Sequence, residues 1–149
     1  MFNAIKNGNT ASSAWKTLVL GNDDTPESVR LPVGPVLVPL VVWKARRAEL
    51  IHREYEHGWP LGIWLSAADS ATEIADDIDD FTVIAVKFDR FSDGSSYAVA
   101  GALRKQYGYT GELRAIGDVP NERPVYYYQA GFNTSAIRTS QSAINLAIV

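Results

Sequence analysis

The length, composition and charge of the chain restrict the class of protein to which it can belong. Its 149 residues, 46% of them hydrophobic and 21% charged, suffice for one globular domain with a sizeable buried core. The lack of cysteine excludes disulfides and thiol catalysis and fits a reducing compartment. A formal charge of −3 without a basic cluster argues against nucleic-acid binding. The longest apolar stretch, Pro35 to Trp43, is too short to span a bilayer, so we expect a cytoplasmic protein without membrane contacts.

The first 32 residues are predicted to form a lead-in composed of a hairpin and a loop. Asn7-Gly8 is typical of tight hairpin turns, so a short strand is expected on either side of it. The segment from Asp23 to Pro32 contains two prolines and several polar residues, which indicates a surface loop. We therefore expect a single domain over residues 1–149, with a lead-in over 1–32 and a core over 33–149.

From Gly34 onward, apolar strand patterns alternate with helical patterns. The run from Val36 to Trp43 is typical of a strand buried on both faces, and Pro39 is expected to end this strand or to place it at an edge. A helix is predicted over 44–57, and four more strands are predicted over 61–65, 82–86, 112–116 and 133–137. The helices between and after them are a helix capped by Ser70, one spanning Tyr97–Tyr107, one through 126–130 and a last one capped by Ser140.

Five repeated strand–helix units with short connections predict an α/β fold, with a mainly parallel sheet flanked by helices. Such a sheet is either open and doubly wound or part of a β/α barrel. We prefer the open sheet because five units are too few to close a barrel alone, and the alternative is a partial (half) β/α barrel. In both folds, ligands bind beyond the carboxyl ends of the strands, so the segments that follow the strands are the expected location of a site.

The segment after the third core strand is the first candidate for a ligand site. Asp89, Asp93, Gly94, Ser95 and Ser96 lie there, directly before a predicted helix. Free backbone amides at a helix start, together with serine hydroxyls, can bind an anion. The alternative is that Asp93 or Ser95 only caps the helix, which is the more frequent role of this pattern.

The fourth core strand carries a charged residue where a buried strand is expected. On an extended strand, Glu112 and Arg114 point to the same face. A buried charge needs a partner, and Asp118, Asp89 or Asp93 is expected to supply it. Together these side chains would form a carboxylate–guanidinium cluster at the carboxyl edge of the sheet.

This cluster has two interpretations. The guanidinium of Arg114 either binds a phosphate or sulfur oxyanion in a forked geometry or forms a structural ion pair. Arg138, at the end of the fifth core strand, is a weaker candidate for a second cation at the same edge. His52 and His57 have no cysteine or further histidine near them in the sequence, so no metal site is predicted. No catalytic nucleophile and no cofactor motif can be identified.

Motifs along the chain resemble those of a family of bacterial proteins. They are Gly34-Pro35-Val36-Leu37-Val38-Pro39-Leu40 with Trp43, Pro60-Leu61-Gly62, Phe91-x-Asp93-Gly94-x-x-Tyr97, Leu103-Arg104-x-x-Tyr107-Gly108-Tyr109-x-Gly111-Glu112-Leu113-Arg114-Ala115-x-Gly117-Asp118-Val119 and Gly131-Phe132. The chain is therefore similar to domain-of-unknown-function family 934. The likeness extends over nearly the whole chain, including Ile5-Lys6-Asn7-Gly8, and is most specific from Gly111 to Val119.

This resemblance implies a role in sulfur assimilation. Members of the family are commonly encoded beside assimilatory sulfite reductase, so the resemblance implies an accessory of sulfite reduction that contacts the reductase or handles its anionic substrate. From the residues alone, the alternative is a small enzyme or anion-binding domain with its site at the carboxyl ends of the third and fourth core strands. A protein that only forms homo-oligomers is a third hypothesis.

The chain departs from the family pattern at several positions. Ser95 and Gly101 stand where the family usually has basic residues, and Asn121 lies in a stretch that usually reads Leu-Arg-Asp-Gln. Ala130 stands where a cysteine is common. If these positions carry the chemistry of the family, we expect this member to have an altered ligand or to have lost it.

Overall fold

The computed structural model describes residues 2–6, 9–12, 14–89, 94–118, 131–132 and 134–138, and it describes only the backbone of 2–6, 9–12 and 134–138. The strands are β1 (Phe2–Lys6), β2 (Asn9–Ser12), β3 (Lys16–Thr17), β4 (Val36–Pro39), β5 (Gly62–Leu65), β6 (Val83–Phe88), β7 (Glu112–Gly117) and β8 (Thr134–Arg138). The helical segments are α1 (Leu40–His57), a 3-10 helix (Ala71–Asp80), α2 (Ser95–Gly101) and a π-helical turn (Ala102–Gln106).

The order of the strands distinguishes the two folds that the sequence allowed. The sheet has eight strands in the order β2-β1-β8-β7-β6-β5-β4-β3, and each pair from β3 to β8 is parallel. A doubly wound sheet requires a reversal of strand order, and none occurs among the described strands. Right-handed crossovers that all advance in one direction place the helices on one face and curl the sheet. The predicted α/β class is confirmed, and its form is the half-barrel alternative.

The connection between β2 and β3 shows how strongly the sheet curls. These strands are the two edges of the sheet, yet only residues 13–15 lie between Ser12 and Lys16. That connection spans at most about 15 Å. In a flat sheet with strands about 4.8 Å apart, the first and last of eight strands would be roughly 34 Å apart. The sheet must therefore curl until its two edges come close together.

The lead-in predicted for the first 32 residues joins the sheet at both edges instead of standing apart. The expected hairpin forms, because β1 pairs antiparallel with β2, and β1 also pairs antiparallel with β8. The strand β3, which the sequence did not predict, pairs in parallel with β4 at the opposite edge. Asn7-Gly8 lies outside the described residues, and residues 23–32 contain neither helix nor strand, as expected for a loop.

The boundary between β4 and α1 corrects the predicted strand over Val36–Trp43. The strand ends at Pro39, as the missing backbone donor of proline indicated, but α1 begins immediately afterwards at Leu40. Leu40 and Trp43 are buried and lie three residues apart, which is the spacing of one face of a helix. The apolar residues of this run therefore enter the core from a helix.

Two further helices differ from their predictions. The segment after Ser70 is a 3-10 helix, and the hydroxyl of Ser70 accepts a hydrogen bond from the amide of Thr72. The helix predicted over Tyr97–Tyr107 is divided into α2 and the π-helical turn. The helices predicted through 126–130 and after Ser140 lie outside the described residues.

The two faces of the sheet hold different groups of buried side chains. The convex face packs against the helices, and its residues in β4 to β7 belong to the main core, as Val38, Ile63, Ile84 and Leu113 show in one row of the register. The concave face carries a smaller cluster made of Leu37, Val83, Ala85 and Ile116, with Trp15 and Trp64 packed against it. The concave face is thus filled by side chains like the inside of a small barrel.

Candidate functional site

Three neighbouring strands bring aromatic and charged side chains together on the concave face. Trp64, Ala85 and Arg114 are aligned across β5, β6 and β7. Lys87 lies two residues beyond Ala85 and therefore points to the same face. The small side chain of Ala85 therefore lies between the larger side chains of Trp64 on β5 and Arg114 on β7. We call Trp64, Lys87, Glu112 and Arg114 the concave-face cluster.

Arg114 is ion-paired with Glu112 inside this cluster. Its Nε and Nη2 atoms both donate to Oε2 of Glu112, at 2.8 and 2.6 Å. Arg114 is only 6% exposed, so the pair is almost removed from water. The alternation of side chains along a strand correctly placed the two residues on one face, but the partner predicted for Arg114 was Asp118, Asp89 or Asp93 and not Glu112. The signal was their spacing of two residues on a strand.

Lys87 and Trp64 form the other half of the concave-face cluster. The ammonium nitrogen of Lys87 lies 5.3 Å from the centre of the Trp64 ring, within the range of a cation–π contact. The indole Nε1 of Trp64 donates to the carbonyl oxygen of Leu18 at 2.8 Å, which fixes the ring. With Lys87 and Arg114 set against Glu112, the cluster has a net positive charge.

The predicted edge residues Asp89 and Asp118 lie side by side at the ends of β6 and β7. The amide of Asp118 donates to the carbonyl oxygen of Phe88 at 2.9 Å. Gly117 has φ 84°, and a Cβ at this position would overlap the same carbonyl oxygen, so the turn requires glycine. Arg114 lies in the middle of β7, away from this edge.

The residues at the start of α2 have different surroundings. Gly94, with φ 99°, is the N-cap of α2, and Ser95 is the first helical residue. Ser96 is fully buried, and its hydroxyl donates to the carbonyl oxygen of Lys87 at 3.1 Å, so it stabilises the packing of α2 on β6. Asp93 and the side chain of Arg138 lie outside the described residues. The edge site that combines these residues stays a prediction.

Several motif residues of the family resemblance hold β7 in place. Arg104 donates to the carbonyl oxygens of Gly131, Tyr109 and Gly111 at 2.8–2.9 Å. The hydroxyl of Tyr109 lies 3.1 Å from each of two further carbonyl oxygens. Burial lowers the pKa of Arg104 and raises that of Tyr109. These residues are explained by the architecture of the sheet, in contrast to the charged concave-face cluster.

An open cavity lies where β3, β4 and β5 end. Its volume is about 280 Å³, and its walls are Val19, Leu20, Pro39, Leu40, Val41, Trp64, Ser66 and Asp69. We call it the edge cavity. Sequence reasoning missed it, because it considered the ends of the third and fourth core strands and did not detect β3. The sequence offered no signal for it, because β3 has only two residues and the exposure of Val19 and Val41, at 59% and 49%, depends on the folded structure.

Neither a metal cluster nor a membrane helix occurs in the part of the chain that the structure describes. No group of three or more histidine, aspartate or glutamate side chains is placed there to hold a metal ion. His52 forms an ion pair with Glu56 in its protonated state, and His57 stacks on Trp59. Among the same residues, every helix is too short or too polar to cross a membrane.

Comparison with known proteins gives one result. Residues 62–147 match the family described as "Bacterial protein of unknown function (DUF934)". The match begins at β5 and includes the whole concave-face cluster, while β1 to β4 and α1 precede it, so it is shorter than the motif likeness. Neither the curated proteins nor the solved structures contain a match. Because the matched residues make up more than half of the chain, the protein belongs to the DUF934 family.

Proposed function

We propose that this protein is an accessory binding protein of sulfite reduction that holds a small oxyanion on its concave face. The observation that carries this proposal is the pair of cationic side chains, Lys87 and Arg114, on the same face of neighbouring strands. Lys87 and Arg114 are on adjacent strands and are offset by two residues along them, so their Cα atoms lie about 8 Å apart. Long side chains at that separation can hold one oxyanion between them, with Lys87 as a point charge and Arg114 acting through its delocalised positive charge while its Nε and Nη2 atoms stay bound to Glu112.

The link to sulfite reduction rests on the family. The likeness to DUF934 proteins, which are commonly encoded beside assimilatory sulfite reductase, supports a partner in that process. Sulfite is itself a small oxyanion, so the charge of the concave-face cluster and the family context support the same ligand. A cytoplasmic location, where that reduction takes place, is part of the proposal and agrees with a chain that has no cysteine.

A thermal-shift experiment with sulfite, sulfate and phosphate tests the oxyanion site. A ligand at a hundred times its dissociation constant stabilises the folded state by about 2.7 kcal/mol, a midpoint rise of roughly 5–10 °C for a domain of this size. We expect Lys87→Met to remove this rise, because it deletes the charge and keeps the aliphatic stem. Lys105→Met, which removes an exposed lysine from the π-helical turn, is the matched control. No rise with any oxyanion, or an equal rise in Lys87→Met, contradicts the proposal.

Arg114 requires a different variant. Arg114→Ala would take the guanidinium away from the largely buried carboxylate of Glu112, and the resulting loss of stability would hide any loss of binding. The double variant Glu112→Gln/Arg114→Gln removes both charges together. We expect it to fold and to show no midpoint rise with sulfite.

Binding to purified assimilatory sulfite reductase tests the accessory role separately. We expect direct binding of the wild-type chain to the reductase in an interaction assay such as surface plasmon resonance. Absence of binding, together with an intact sulfite response, would remove the accessory role and leave the oxyanion site. Retained binding to the reductase without a sulfite response would remove the oxyanion site and leave the accessory role.

A second candidate is a small enzyme or anion-binding domain with its site at the carboxyl edge, formed by Asp89, Asp93, Gly94, Ser95, Ser96, Asp118 and Arg138. The backbone hydrogen bond that brings Asp118 beside the end of β6 favours it. Ser95→Asp distinguishes the two sites, because it places a negative charge at the start of α2. Loss of the sulfite response in this variant supports the edge site, and an unchanged response supports the concave face.

A further inference from the structure

We propose that the edge cavity is a second binding site, which takes a small amine with an apolar or aromatic body. It shares Trp64 with the concave-face cluster, but none of its other wall residues belongs to that cluster. The proposal is independent of oxyanion binding. It rests on three properties of the cavity, which are its fixed walls, its apolar lining and one carboxylate.

The walls of the edge cavity are held in place by hydrogen bonds. The amide of Leu18 donates to the carbonyl oxygen of Leu37 at 2.9 Å, which joins the chain after β3 to β4. The carbonyl oxygen of Leu18 in turn accepts from the indole of Trp64 at 2.8 Å, which joins it to β5. The cavity is therefore preorganised, and a ligand would not have to order its walls.

The lining favours a ligand with an apolar body. Six of the wall residues are apolar, namely Val19, Leu20, Pro39, Leu40, Val41 and Trp64. Val19 and Val41 are about half exposed to water, so a ligand body against them would bury apolar surface on both sides. A volume of about 280 Å³ lies at the lower end of the range of ligand pockets, so the ligand is small.

Asp69 determines the charge of the ligand. Its Oδ2 accepts from the amide of Ser66 at 2.8 Å, and its own amide donates to the carbonyl oxygen of Ser66 at 3.1 Å, so the carboxylate is held in a turn. Across the described ranges 14–89 and 94–118, no lysine or arginine forms an ion pair with Asp69. An amine can therefore pair with this carboxylate.

The start of α1 favours a negatively charged ligand, which opposes the preference that Asp69 creates. Leu40 begins α1 at the same wall, its N-cap Pro39 offers no capping side chain, and the first turn has no acidic residue. A helix start corresponds to roughly half a positive charge, whereas the carboxylate of Asp69 carries a full negative charge. Among the wall residues only Asp69 carries a full charge, which exceeds the half charge of the helix start, so the walls of the cavity favour a cation.

Three probes of equal size test the proposal on the full-length protein. Benzylamine, benzyl alcohol and benzoate share one ring and differ in the charge of the head group. We expect benzylamine to bind tightest in NMR titrations, with chemical-shift changes at the wall residues, and benzoate to bind weakest. Asp69→Asn retains an acceptor for the Ser66 amide and should weaken benzylamine about tenfold, to the level of the alcohol. Asp79→Asn, which removes an exposed carboxylate elsewhere, is the matched control and should change nothing.

A variant that fills the cavity completes the test. Val41→Phe adds volume at a half-exposed position of α1, so it should fold and weaken all three probes. Benzylamine should still bind to Lys87→Met, which separates this site from the oxyanion site. The proposal is overturned if benzoate binds at least as well as benzylamine, if Asp69→Asn binds benzylamine like the wild type, if Val41→Phe has no effect, or if none of the probes binds.

Discussion

At the scale of single residues, three glycines allow the energetic cost of a positive φ to be measured apart from the cost of a steric overlap. Gly101 has neither a positive φ nor a neighbour within 4 Å, Gly108 has φ 67° and open space, and Gly117 has φ 84° and the carbonyl oxygen of Phe88 against it. We expect Gly101→Ala to stabilise the fold by roughly 0.5–1 kcal/mol and Gly108→Ala to destabilise it by about 1–2 kcal/mol. Gly117→Ala should cost clearly more than Gly108→Ala in urea unfolding. Equal costs would show that the overlap with Phe88 is unimportant.

Tyr109 gives the stability a specific dependence on pH. Burial raises its pKa, while the nearby charge of Arg104 opposes the shift. The folded protein therefore holds the phenol proton more tightly than the unfolded chain, so this contribution is present below pH about 10 and is lost as the pH rises further. Unfolding free energies at neutral and alkaline pH should fall more steeply for the wild type than for Tyr109→Phe. The same slope in both proteins would contradict this account.

The residues of the concave-face cluster show what a sequence can reveal at this scale. The two-residue period of a strand was enough to place Glu112 and Arg114 on one face. The contact of Lys87 with Trp64 was not accessible, because it depends on the register between β5 and β6. No local pattern specifies register when both strands are apolar on both faces.

At the scale of elements, the buried ion pair makes β7 sensitive to single charge changes. Removing one partner leaves a charge away from water, so Arg114→Gln should destabilise the protein by about 3–5 kcal/mol. The double variant Glu112→Gln/Arg114→Gln should lose much less, because no charge is left uncompensated. Urea unfolding of the single and double variants measures this difference. If both lose the same free energy, the pair is not coupled in the folded state.

The boundary of an element could be predicted from the sequence where a single residue has a special backbone property. Pro39 ended β4 as expected, since proline has no amide to donate to the ladder. The apolar residues after it had no strict period of two or of 3.6, so the sequence did not separate the strand from α1. The division of the helix at Tyr97–Tyr107 into α2 and a π-helical turn was likewise invisible, because both parts bury similar faces.

At the scale of the whole molecule, the fold class followed from the sequence but the curl of the sheet did not. Alternating strands and helices fix the class, and strand order then decides between an open sheet and a half barrel. That order depends on contacts between distant segments. The two-residue strand β3 was missed because it is too short to show any periodicity, and without it the closeness of the two edges could not be inferred.

The first 32 residues should therefore be indispensable for folding. Their removal deletes β1, β2 and β3, which cover both ends of the parallel sheet, and also Trp15, which packs over the concave face at Gly62. We expect a chain that starts at residue 33 to be insoluble or to unfold without cooperativity. Circular dichroism and size-exclusion chromatography measure both properties. A soluble chain with a sharp unfolding transition would show that residues 33–149 fold on their own.

The pairing of β1 with β8 also has a consequence for synthesis on the ribosome. Phe2 pairs with Arg138, so β1 needs a partner that is synthesised well over a hundred residues later. At 5–20 residues per second, β1 waits on the order of ten seconds for β8. During this interval the hairpin has an open hydrogen-bonding edge, and the nascent chain offers a binding site to chaperones that the finished protein no longer has.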